Sequence, residues 1–135
     1  DKGYSVIGIE RSKEAIKVFQ REFGGKHKEV SCIIGDADFL PFKDDIAEGV
    51  TIFYFLIREI MGNIKAILKK GGILIYETFL KRQNIIDRWR NPEYLLEDGE
   101  LYSYFSDFEL LFYEEVISRG RKKDKVIARF VGRKI

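Results

Sequence analysis

The sequence predicts an α/β fold built on a mostly parallel sheet that closes with an antiparallel hairpin. Three observations carry this. Short β-branched runs alternate with amphipathic stretches over the first half of the chain. Those runs are apolar almost throughout rather than at every second position, as in strands covered on both faces. Near the carboxyl end, two further strand-like runs flank the polar connection RGRKKDK at 119–125.

The elements follow in order. Asp1-Lys2-Gly3 reads as the end of a helix, with Gly3 able to take the left-handed conformation that closes it. Residues 4–9 (YSVIGI) form a buried strand with acidic Glu10 at its carboxyl end. Ser12 is a good N-cap for a helix over 13–23, where Ala15, Ile16, Phe19 and Phe23 recur at spacings of three and four, and Gly24-Gly25 end it. Residues 29–34 (EVSCII) are a second strand, followed by GDADFLPF, which Pro41 makes a loop. Residues 49–56 (GVTIFYFL) are a third strand. The stretch 57–69 carries Ile60, Ile64, Ile67 and Leu68 on one helical stripe, and Lys69-Lys70-Gly71-Gly72 reads as its stop. Residues 73–79 (ILIYETF) are the fourth strand. The polar, basic stretch 81–90 reads as a lid or excursion, 96–105 as a short helix, and 108–118 with 125–132 as the hairpin. The hairpin is expected to lie beside the fourth strand, with Ile127 and Phe130 closing the core.

Open α/β sheets bind ligands outside the carboxyl ends of their parallel strands. Glu10, Asp36 and the residues around Tyr54 and Glu77 fall there. A carboxylate ending a strand just before a helix is placed to accept hydrogen bonds from two ribose hydroxyls, although a lone acid there is more often simply solvated. Asp36, one glycine after the second strand, is placed to accept from an adenine amino group. Its plainer reading is a turn residue that caps its own loop.

Composition narrows the class. The chain has 135 residues, 45% of them apolar and 14% aromatic, enough for one core. Lys plus Arg (24) nearly balances Asp plus Glu (22), so no strong field predicts a nucleic-acid or membrane partner, and a small-molecule substrate is expected. The lone Cys32 excludes an internal disulfide and a multi-cysteine metal site, and no metal is expected. With no membrane-length apolar run and no signal-peptide pattern, the expected setting is soluble and cytoplasmic. The chain opens on Asp1 and its only methionine is Met61, so its message is expected to begin further upstream.

The succession GYSVIGIERS, GDADFLPF and LKKGGILIYETF resembles the second, third and later motifs of class I S-adenosylmethionine-dependent methyltransferases. YETF followed by RNPEYLLEDGELYSYFSDFELLFYEE resembles the subgroup related to tellurite-resistance methyltransferases. The resemblance covers essentially the whole chain and implies a Rossmann-like methyltransferase domain over residues 1–135, incomplete at its amino end. It implies S-adenosylmethionine as cofactor, with Glu10 on the ribose hydroxyls, Arg11 beside it, Asp36 and Ala37 at the adenine, and Phe53 and Tyr54 facing the transferred methyl.

The family's first strand and its Gly-x-Gly loop have no counterpart. That strand is central, between those read at 4–9 and 49–56, and its absence leaves a gap to be filled. Direct pairing of the two neighbours, a strand from another copy giving a homo-oligomer, or an upstream segment would each fill it. The chain alone is therefore expected to bind cofactor weakly or not at all and to transfer no methyl group, and the upstream segment to restore both.

Methyl transfer from a sulfonium is an in-line displacement, so alignment supplies much of the rate without an acid–base dyad. Tyr54, Arg58 and Glu77 are the candidates for orienting the acceptor. The remaining residues take plainer readings. His27 lies in a polar turn, Cys32 in a strand core, 119–125 in a solvated hairpin tip, and Phe53, Tyr54 and Phe55 also suit a core. A catalytically inactive methyltransferase-like binding or regulatory module is the alternative, supported by the missing glycine loop. A dehydrogenase is disfavoured because the chain has no Gly-x-Gly-x-x-Gly.

Overall fold

The computed structural model describes residues 44–121 and 123–135, together with the backbone of 6–10 and 30–34. The helix read at 13–23, the loop carrying Asp36 and Ala37, Arg11 and His27 lie outside the described residues, as does the Cys32 side chain. The strands are β1 (Val6–Glu10), β2 (Val30–Ile34), β3 (Ala47–Phe53), β4 (Leu68–Phe79), β5 (Glu109–Ser118) and β6 (Lys125–Arg133). They form one six-stranded sheet in the order β2-β1-β3-β4-β6-β5. The first four run parallel, and β6 returns antiparallel between β4 and β5. This is the mostly parallel sheet with a closing hairpin that the alternation predicts.

The hairpin lies where expected. β6 pairs along β4 from Ile73 opposite Arg133 to Phe79 opposite Ile127. Ile127 is 0% and Phe130 1% exposed. The two strands flanking the anticipated gap are paired directly, from Val6 opposite Gly49 to Ile9 opposite Ile52.

Side chains alternate along β4, with Leu74, Tyr76 and Thr78 buried on one face. That face, with Val50, Ile52, Ala128 and Phe130, packs on Ile60, Met61, Ile64 and Ile67 and on Leu101, Phe105 and Phe108. Each such side chain contributes about 1.5 to 3 kcal/mol when fully buried. The rings of Phe105 and Phe108 stand 5.4 Å and 6.4 Å from that of Phe130, centroid to centroid.

Three readings of the local sequence are corrected. The helix expected over 57–69 is a 3-10 turn, Arg58–Ile60, followed by α1 (Met61–Ile67). It ends where Leu68 turns extended and pairs with Ala47, and the Lys134 ammonium reaches back from the far end of the chain, donating to the carbonyls of Lys65 (2.6 Å) and Leu68 (2.8 Å). A cation on the last carbonyls stabilises a helix end. Lys69-Lys70-Gly71-Gly72 then belongs to β4, where the register jumps from Ala47 opposite Leu68 to Gly49 opposite Ile73. Gly71 takes φ 85° there, and a Cβ on Gly72 would meet the Lys69 carbonyl oxygen at 2.8 Å.

The helix expected over 96–105 shrinks to α3 (Glu100–Tyr104), preceded by a 3-10 turn, Pro92–Tyr94. The excursion at 81–90 contains α2 (Gln83–Ile86) and is pinned to the sheet. Gln83, 1% exposed, accepts the Val126 N–H (2.6 Å) and donates to the Asp124 carbonyl (3.3 Å).

Candidate functional site

The parallel strands β1, β3 and β4 end at one edge of the sheet, and their register fixes which terminal residues stand level with one another. Ile9 pairs with Ile52 and Ile52 with Tyr76. One residue further, Phe53 pairs with Glu77, and Glu10 stands at the same level on β1. β2 ends opposite Glu10, at Ile34.

Beyond Phe53, Tyr54 adopts φ 55°, a left-handed conformation that costs a non-glycine residue roughly 1 kcal/mol or more. It ends β3 three residues before the reading of 49–56 as strand. Several contacts hold it. Its N–H donates to the Glu77 carbonyl (2.8 Å), its hydroxyl donates to Glu77 Oε2, and its ring stands 5.0 Å from that of Phe79. Lys125 places its ammonium 4.5 Å over the Tyr54 ring and 3.4 Å from the hydroxyl.

The other oxygen of Glu77 accepts from Arg129 Nε at 2.6 Å, and Arg129 Nη1 donates to Glu114 at 2.8 Å. These hydrogen bonds to Glu77 and then Glu114 push the Arg129 pKa still higher, so it stays charged. Glu77 thus has a partner on each oxygen.

Arg58 serves a different end. Its Nε donates to Glu100 Oε2 at 2.5 Å, Nη1 to the Glu93 carbonyl at 2.6 Å, and Nη2 to the Leu95 carbonyl at 2.9 Å. Glu100 also accepts the Tyr104 hydroxyl. Burial alone would raise the Glu100 pKa, but the bonds from Arg58, Tyr104 and the Glu97 amide outweigh it and hold it at about 2. The same surroundings, burial first and the bond to Glu100 next, push Tyr104 up to about 12.

Between these two networks lies a cavity of about 180 Å³. Tyr54, Leu56, Phe79, Arg90, Tyr94 and Leu95 are among its walls. Arg90 stacks 4.5 Å over the Phe79 ring, and Asn84 brackets its backbone, donating to the carbonyl (2.9 Å) and accepting from the N–H (2.8 Å). Buried Tyr76 donates to the Phe55 carbonyl at 2.6 Å and fixes the chain just after Tyr54.

Of the residues singled out from sequence, Tyr54, Glu77 and Phe53 come together, with Glu10 level with them on β1. Arg58 stands apart and braces the cavity wall. Sequence reading passed over Tyr76, Gln83, Arg90, Glu100, Lys125 and Arg129. Arg90 alone carries a local signal, as the cation ending the excursion beside Asn91-Pro92; the others are recruited across the fold.

The family model described as a methyltransferase domain matches residues 1–76. No curated protein matches in sequence. Among solved structures, TehB from Haemophilus influenzae superposes with a TM-score of 0.69 at 19% identity, over 98% of this chain and 51% of that one. The chain thus spans about half the length of TehB. The (4+2)-cyclase SpnF gives 0.70 at 19% identity, over 98% and 74%. A SAM-dependent methyltransferase from Methanosarcina mazei gives 0.63 at 20% identity, over 99% and 84%. At these identities the likeness is one of fold, here Rossmann-like.

Proposed function

Because the chain belongs to the methyltransferase-domain family, we propose that its carboxyl edge serves S-adenosylmethionine-dependent methyl transfer to a small or soft nucleophile. The observation that carries this is the shared level of Glu10, Phe53 and Glu77 across three parallel strands, with Tyr54 turned out beside them.

The edge fits the cofactor in chemical kind. A carboxylate ends β1, where it can accept from ribose hydroxyls, and Phe53, 38% exposed, offers an uncovered ring at the same level. Arg11, Asp36 and Ala37 complete the reading as the ribose-side and adenine-side residues that the family pattern implies. When bound, the cofactor supplies an activated methyl group.

The chain's own residues then orient the acceptor. Tyr54 lines the cavity, and Glu77 and Lys125 fix its hydroxyl's position. Arg58 acts at one remove, since the carbonyls it holds belong to the segment that puts Tyr94 and Leu95 in the wall. The cavity's size favours a small acceptor. The lone Cys32 and balanced charge favour a cytoplasmic setting.

A second reading, a binding module without catalysis, draws on the direct pairing of β1 with β3, where the resembled fold has another strand. The fold alone does not decide the reaction, since SpnF on the same fold is a cyclase. Calorimetric titration with S-adenosylmethionine and S-adenosylhomocysteine separates the readings. Saturable binding, weakened by Glu10→Ala or Asp36→Ala by about 1 to 3 kcal/mol, supports the cofactor edge. No binding by this chain or by one extended upstream would favour the module.

A further inference from the structure

The near-balance of charge over the whole chain conceals an uneven distribution. One corner, where the excursion meets the tip of the β5–β6 hairpin, collects cations around exposed apolar side chains. Ile85 is 80%, Ile86 48% and Trp89 71% exposed. Across a cleft of about 320 Å³ from Ile86 and Asp87 stand Arg119 and Lys123, whose side chains are 74% and 59% exposed. Arg88 and Arg121 adjoin them in sequence, and the tip RGRKKDK carries five basic residues in seven. Asp87 and Asp124 are the acids at the cleft, and each is engaged by its neighbours: Asp87 by Arg90 and Lys123, Asp124 by Arg119.

Among the described residues, Ile85 and Trp89 belong to no buried cluster. They are not carried on a loose segment either, because Gln83 is buried two residues before Ile85 and holds this stretch to Val126 and Asp124. Ile85 and Trp89 are the most exposed of the three, whereas Ile86 lines the cleft beside Arg119 and Lys123. A tryptophan and two isoleucines beside Arg and Lys match the bilayer interface, where the ring and aliphatic groups enter the headgroup region and the cations meet lipid phosphates. Isoleucine adds little to a nucleic-acid surface, which is bound by stacking and backbone charge.

We infer that this corner, with Ile85, Ile86 and Trp89 on the excursion, Arg119 and Lys123 across the cleft from Ile86, and Arg88 and Arg121 adjoining in sequence, docks on the anionic headgroup surface of a lipid bilayer. The chain rests on the membrane there without crossing it; no described helix is long and apolar enough to span one. The inference does not depend on the methyl-transfer reading.

Trp89 is the only tryptophan in the chain, so its fluorescence reports the contact directly. The chain is mixed with vesicles of phosphatidylcholine alone or of phosphatidylcholine with phosphatidylglycerol. The mixed vesicles should shift Trp89 emission to the blue and sediment the chain. Phosphatidylcholine alone should do so far less, and added salt should reverse the effect. The pair Arg88→Gln and Arg121→Gln should weaken binding to mixed vesicles by on the order of tenfold. The pair Ile85→Ser and Ile86→Ser should weaken it by at least about tenfold. Circular dichroism should show both variants folded as the parent. No response to the mixed vesicles overturns the inference, as does equal binding to both vesicle types or unchanged binding by the folded serine pair. A Trp89 shift with single-stranded RNA but not with vesicles would overturn it in favour of a nucleic-acid surface.

Discussion

Tyr54 donates its hydroxyl to Glu77 from a backbone held at φ 55°, so the residue that ends β3 is tied to the neighbouring strand by both its main chain and its side chain. The left-handed turn lets the ring leave the sheet and face the cavity while the hydroxyl stays anchored. Tyr54→Phe removes that anchor and leaves Glu77 with Arg129. It should lower stability by about 1 kcal/mol in urea denaturation. In the methyl-transfer reading it should raise the acceptor KM while leaving S-adenosylhomocysteine affinity unchanged. Loss of cofactor affinity with intact acceptor binding would place Tyr54 on the other side of the reaction.

Arg58 braces the cavity wall through three separate nitrogens. Arg58→Ala should cost about 1 to 2 kcal/mol, because it removes the donor from the part-buried Leu95 carbonyl and leaves Glu100 without its cation. Lysine lacks the planar fork and should recover little of this. Full rescue by Arg58→Lys would show that charge alone matters there.

Glu100 makes that brace sensitive to acid. Its folded-state pKa of about 2 lies below the ordinary value of 4.5. A depressed carboxylate contributes stability that is fully present above the ordinary value and is lost as pH falls toward the folded one. Glu100→Gln should therefore destabilise the chain at neutral pH and flatten the fall in stability between those two pH values. A variant whose acid unfolding parallels the parent's would contradict the assignment.

The hairpin closes the core rather than decorating it. Phe130→Ala should cost about 3 to 5 kcal/mol, whereas Ile117→Ala, at a side chain 42% exposed, should cost under about 1 kcal/mol. Deleting the residues after Ser118 should abolish the cooperative melting transition. A melting curve left intact by that deletion would make the hairpin an appendage.

How much of this was legible in the sequence depends on whether the deciding contact is local. The runs VIGI, VSCII and ILIYETF announce strands because β-branched residues in unbroken apolar stretches favour a sheet covered on both faces, and Glu10 and Glu77 could be placed at strand ends from those runs alone. The early stop of α1 could not be read from its own residues, since it goes with the pairing of Leu68 to Ala47 and with Lys134, 66 positions beyond Leu68. Gly71-Gly72 was visible as a break, but whether it ended a helix or bent a strand was settled by pairing with β3 and by Lys134. The Tyr54–Glu77 contact was half legible. Both residues were candidates, yet the left-handed turn that joins them follows from the sheet's register and not from any glycine. Arg129 and Lys125 stand on a strand that sequence reading treated as packing, and they reach the site only because β6 folds back against β4.

The location of the cofactor edge is tested most directly by titrating isotope-labelled chain with S-adenosylhomocysteine and following the backbone amide resonances, which register weak binding as well as strong. Saturable shifts are expected at Glu10, Phe53, Tyr54 and Glu77, with Gly71 and Gly72 at the opposite edge of the sheet unmoved. Shifts confined to Gly71 and Gly72, or none at the carboxyl edge at any ligand concentration in this chain and in one extended upstream alike, would contradict a cofactor site built on Glu10 and Phe53.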